Sequence, residues 1–182
     1  MLARLLDVDH VIRAWIVDHR IHAIDGVMVA LSVVGRGGRV WIGIGLVLWA
    51  AGRMKWQRLA ELLVALALAT VTVDYVLKPL VDRHRPFTSI PSVSVLDARP
   101  NDGSFPSGHA GNAFAGATVL AQALPAWQPV WWTLAALIAF SRVYVGVHYP
   151  ADVVGGAIAG AACAIVVLLA SAALTRSGVK GT

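Results

Sequence analysis

Six residues whose charge or titration suits work on an anion fall into three short stretches. KPLVDRHRP (78–86) sets Lys78 and Arg85 seven positions apart. FPSGHAGNAF (105–114) brings His109 in behind Ser107 and Gly108. SRVYVGVHYPAD (141–152) carries Arg142, His148 and Asp152. Ser107 stands before a run of small residues and suits a helix N-cap. The helix that follows would present the free backbone N–H groups of Gly108 and His109, where the dipole also favours an anion. With Lys78, Arg85 and Arg142 beside it, such a helix start makes a cradle for a phosphate. The forked guanidinium of arginine matches phosphate oxygens two at a time.

The two histidines divide the remaining work. Pro150 suits the first turn of a helix, so Asp152 falls within that turn and can fold back onto His148. A carboxylate on one ring nitrogen fixes the tautomer and leaves the other nitrogen free to attack, as in a catalytic triad. His109, next to the bound phosphate, would hold a proton for the leaving oxygen. Asp74 precedes Lys78 by one helical turn and is read as its neutralising partner.

These residues need elements to position them. The chain has 182 residues, of which 58% are hydrophobic and 14% charged, and its mean hydropathy is +0.70. Soluble domains carry roughly 25% charged residues, so this composition belongs in a membrane. A crossing needs about 20 apolar residues. Candidates are 26–51 (broken by GRGGR), 59–80, a shorter 109–124, 130–147 and 152–174. The predicted fold is an all-α, polytopic membrane helical bundle of five or six segments, in a single domain over residues 1–182. Counting crossings brings the 81–108 loop and the 142–152 turn to one face, side A. Trp49, Trp56, Trp127, Trp131 and Trp132 collect near the opposite face, side B, as an aromatic belt does.

The opening stretch is not read as a signal peptide, since Asp7, Asp9, Arg13, Asp18 and Arg20 interrupt it. Leu5, Val8, Ile12, Trp15 and Ile16 recur at helical spacing, so an amphipathic helix along the interface is expected, with His10, His19 and His22 on its wet face. The alternative, an extra crossing over 9–34, stays open. The net charge is +5, but no basic tail stands apart, so an anionic lipid or substrate is favoured over nucleic acid. Positive charge does not set the orientation. Arg53, Lys55, Arg58, Arg176 and Lys180 fall on side B. Side A keeps six cations once Lys78, Arg83, Arg85 and Arg142 are set aside as substrate-binding candidates.

The three blocks resemble the signature of the type-2 phosphatidate phosphatase superfamily: K-x6-RP, PSGH and SR-x5-H-x3-D. They match in order over 78–152 without departure. The resemblance implies a phosphatase that needs no metal or other cofactor and works through a phosphohistidine. His148 would be the nucleophile, Asp152 its partner and His109 the acid, with Lys78, Arg85, Ser107, Gly108 and Arg142 on the phosphoryl oxygens. It further implies a lipid phosphate or diphosphate as substrate. Undecaprenyl diphosphate in the bacterial inner membrane is the first choice, with side A facing outward. Phosphatidylglycerophosphate, diacylglycerol diphosphate and lipid A are the alternatives. A soluble vanadate peroxidase shares the blocks but not the composition. A lipid-phosphate binder or transporter would not need both histidines and the aspartate.

Other features have plainer expectations. Gly156-x-x-x-Gly160 is a helix-packing motif and Cys163 a small buried hydrophobe. Arg36 and Arg39 either touch a headgroup or snorkel to the interface. Arg83 and His84 are expected to be loop or rim residues, and Asp97, Arg99, Asn101 and Asp102 to be solvated loop.

Overall fold

The computed structural model describes residues 2–90 and 92–179. The Leu5 side chain and Lys180 lie outside the described residues. Among the described residues the regular elements are helices: α1 (Leu2–Asp18), α2 (Asp25–Gly35), α3 (Arg39–Ala50), α4 (Trp56–Thr70), α5 (Lys78–Val81), α6 (Pro86–Ser89), α7 (Gly108–Ala123), α8 (Gln128–Tyr144) and α9 (Pro150–Val179). Three stretches are long and apolar enough to cross a membrane: His22–Ala50, Trp56–Ser89 and Pro150–Ser177. α7 and α8 have 16 and 17 residues, fewer than the ~20 that span the hydrocarbon.

α7 is the axis of the bundle and packs against α4, α8 and α9. Its Ala- and Gly-rich sequence lets neighbouring backbones come close, and most of its residues are buried. The expected packing motif does its work here. A Cβ on Gly160 would run into the carbonyl of Gly111, and one on Gly156 into that of Ser107. Small residues are what allow such an approach. Cys163 is buried beside this seam, as expected. Trp41 lies flat against Gly116 and anchors the apolar core with Leu59, Leu62 and Leu120.

The GRGGR interruption is a kink. α2 ends at Gly35, a short 3-10 turn covers Arg36–Gly38, and Gly37 and Gly38 adopt positive φ. Trp49 and Trp56 pair edge to face, and Trp127 stays exposed. Trp131, expected in the belt, is instead buried in the core.

α1 is amphipathic with a twist. Val8, Ile12 and Trp15 point outward, while Asp9 and Arg13 are buried against the protein. His19 and His22 are exposed, but His10 is half-buried with its ring 4.7 Å from that of Tyr149. The expectation of a uniformly wet polar face therefore needs correction: part of that face has partners inside.

Candidate active site

The first block reaches the site through an irregular helix. Between α4 and α5 the chain widens into a π-helical stretch, Val71–Leu77, a feature that gathers at functional sites. Asp74 lies within it and Lys78 directly after. Lys78 Nζ sits 2.6 Å from Asp74 Oδ1, the expected pair, and 2.6 Å from Asp102 Oδ2. Asp74 also leans so close to Gly108 that a side chain there would collide with its carboxylate.

His148 is fully buried and held from both sides. Its Nδ1 lies 3.3 Å from Asp152 Oδ2 and its Nε2 lies 3.2 Å from Arg85 Nη1. A guanidinium can only donate. Nε2 therefore keeps its lone pair, and Nδ1 carries the proton toward Asp152. Burial pushes the imidazole down to about 4, and the positive charges of Arg85 and Arg142 act in the same direction against the pull of Asp152. Asp152 itself also accepts from Ser104 Oγ, from Tyr149 N at 2.8 Å and from Arg83 Nη1 at 2.7 Å.

Arg85 is nearly as buried. It donates to the backbone carbonyls of Asp102 (2.9 Å) and Val147 (2.9 Å) and to Asp102 Oδ1 (2.7 Å). The Asp102 carboxyl, close to both Arg85 and Lys78, is held at about 2; burial opposes this and the two cations outweigh it.

Across from His148, the start of α7 is built as expected. Ser107 Oγ accepts from Ala110 N, and Ser107 N donates to the carbonyl of Asp152 at 2.8 Å. That leaves the first-turn N–H groups of Gly108 and His109 without intrahelical partners. His109 Nε2 meets the carbonyl of Ser32 at 3.1 Å. A carbonyl only accepts, so Nε2 is protonated and Nδ1 is the nitrogen free for proton exchange. Arg142 Nη1 donates to Ser32 Oγ and, at 2.9 Å, to Asp97 Oδ2, while its buried Nε has no partner among the described residues.

One cavity of about 560 Å3 joins these groups. Lys78, Arg85, Gly108, His109, Arg142 and His148 all line it, with Asp74, Arg36 and Asp102 at its walls. Ser107 and Asp152 do not line it. They stand behind Gly108 and His148 and are fully buried.

Two expectations fail here. Asp97 is not a solvated loop residue but is paired to Arg142 inside, whereas Asp102 keeps its expected exposure and in addition pairs with Lys78 and Arg85. Arg83 lies in the loop as expected but not at a rim, since it bridges Asp152 and Asp9. Ser32 and Ser104, which no motif singled out, touch Arg142 and Asp152. Buried charge demands partners, and long-range closure supplies them where sequence spacing could not reveal them.

Comparison with known proteins follows the same lines. Residues 58–176 match the PAP2 superfamily. The chain belongs to that superfamily. An undecaprenyl-diphosphatase of Sulfolobus acidocaldarius is 35% identical over 78% of this chain and 68% of its own length. Among solved structures, Aquifex aeolicus LpxE superposes with TM-score 0.75 at 30% identity, covering 86% of this chain and 92% of its own. A PAP2-type phosphatidylglycerolphosphate phosphatase of Bacillus subtilis does so with TM-score 0.71 at 27% identity, over 90% and 84%. This PAP2 protein thus has the helical fold of membrane phosphatases, and the names of its relatives support a lipid phosphatase.

Proposed function

We propose that this PAP2 protein hydrolyses a polyprenyl diphosphate, undecaprenyl diphosphate first among them, without a metal and through a phosphohistidine. The observation that carries the reading is the clamping of His148 between Asp152 and Arg85 in a cavity shared with His109 and the three expected cations. His148 Nε2 attacks the terminal phosphorus as the bond to the bridging oxygen breaks. His109, doubly protonated beside the bound anion, gives that oxygen the proton from Nδ1, and lipid monophosphate leaves. Water then attacks the phosphohistidine as His109 takes its proton back. Inorganic phosphate departs and the imidazole is restored. Charge spreads over the phosphoryl oxygens during transfer. Lys78, Arg85 and Arg142 neutralise it together with the N–H groups of Gly108 and His109, and Ser107 keeps that helix start in place. The half-exposed Asp102 holds two of these cations and must yield to the incoming phosphate.

In this reading the chain is one membrane-embedded domain. α7 and α8 complete five crossings, α1 lies along the interface, and the cavity faces outward from a bacterial inner membrane. Phosphatidylglycerophosphate, diacylglycerol diphosphate and lipid A remain alternative substrates. The test is phosphate release from polyprenyl diphosphate, phosphatidylglycerophosphate and phosphatidate in the presence of EDTA, with His148→Ala as the blank. The diphosphate is expected to turn over fastest, and the His148 variant to fall to background. A strict need for added divalent metal would contradict the mechanism.

A further inference from the structure

Asp9, a buried charge, and Arg83, a partly buried one, are not used by the mechanism above. Arg83 Nη1 donates to Asp152 Oδ1 at 2.7 Å and its Nη2 to Asp9 Oδ2 at 2.6 Å. Its guanidinium lies over the Tyr149 ring, 4.0 Å from the centroid. The other oxygen of Asp9, Oδ1, accepts from Ala151 N at 2.8 Å. That N–H sits in the first turn of α9, where no intrahelical partner exists. Asp9 thus caps the helix that carries Asp152, from a different helix. Asp9 is 5% exposed and Asp152 is 0% exposed, so neither charge is compensated by water.

We infer that Arg83 and Asp9 are positioning residues for the nucleophile, and that α1 is a working part of the active site. This rests on the reading of His148 as the nucleophile. The chain of cause is short. Asp152 Oδ2 orients His148, while Oδ1 would be free to swing if nothing held it. Arg83 pins Oδ1, so the carboxylate plane is fixed and the imidazole plane with it. Asp9 holds the second arm of the fork, which keeps the guanidinium over the Tyr149 ring. A planar fork can bridge two carboxylates in this way; an ammonium is a point charge and cannot hold the same geometry. The inverted face of α1, with Val8 and Ile12 outward and Asp9 inward, follows from this docking.

The test uses the full chain in detergent with a short-chain polyprenyl diphosphate. Arg83→Lys keeps the charge and loses the bridge. Partners that orient metal-bound histidines contribute about 10- to 100-fold, and a loss of similar size is expected in kcat for this pair, which orients a histidine through its carboxylate. KM and inhibition by vanadate should stay within about twofold, because the cavity cations are untouched. Asp9→Asn leaves the Arg83–Asp152 contact and should show a smaller loss of the same kind; it also serves if the lysine variant does not fold. In an Asp152→Asn background, Arg83→Lys should add no further loss, since the carboxylate it acts through is gone. Wild-type kcat in both single variants, or a full additive loss on top of Asp152→Asn, would overturn the inference and leave the phosphatase reading intact. Wild-type kcat in Asp152→Asn alone would overturn both.

Discussion

His148 works as a nucleophile only while its Nε2 lone pair is free. The contact with Arg85 and the depressed imidazole pKa both keep Nε2 unprotonated, and the incoming phosphate must take Arg85's place on that lone pair. In the unfolded chain the ring takes up a proton near 6.5, whereas in the fold it resists until about 4. Between those values the unfolded state binds more protons, so stability is full above about 6.5 and falls as pH drops toward 4. NMR titration of His148 in the purified protein should give a midpoint near 4, well below the ordinary imidazole value. A midpoint at or above 6.5 would contradict the burial and the Arg85 contact that hold the ring neutral. At this scale the proposed catalytic residues were legible, because His109, His148, Asp152 and the cations sit at fixed spacings within short blocks. Asp97 and Asp102 were not. Their partners come from α8 and from either end of the first block, and nothing local in a proline-rich loop announces a distant arginine.

At the scale of elements, α7 and α9 set the site. One starts after the N-cap Ser107, exposing the N–H groups of Gly108 and His109, and the other begins with the turn that carries Asp152. Their approach depends on Gly156 and Gly160 lying against the backbone of the 107–111 turn. Gly160→Ala places a methyl group against a carbonyl that cannot rotate away. Overpacking of this sort costs about 1–3 kcal/mol, so a lowered Tm in detergent is expected, with a loss of activity that tracks the displaced α7. An unchanged Tm would show that the helices are less tightly apposed. The packing glycines were visible as a motif, and so was the GRGGR kink. The π-helical stretch before Lys78 was not, since a run such as VTVDYVL has no apolar period that separates a widened turn from a regular one. The inward turn of Asp9 and Arg13 also escaped notice, because an apolar stripe can face lipid as readily as protein.

Over the whole molecule, a bundle wound around a helix of small residues brings together stretches some seventy residues apart in the chain. The parity of the crossings anticipated that meeting at one face, and the shared cavity realises it. Crossing number was harder to read, because α7 and α8 are short and α7 is sheathed by its neighbours. Everything in the proposed chemistry turns on a phosphoryl group passing through His148. The direct measurement is rapid quenching of the EDTA-treated enzyme with a polyprenyl diphosphate labelled in its terminal phosphate, followed by mapping of the labelled peptide. Acid-labile, base-stable label on His148 is expected, and none in His148→Ala. Label on another residue, or undiminished turnover in His148→Ala, would contradict it.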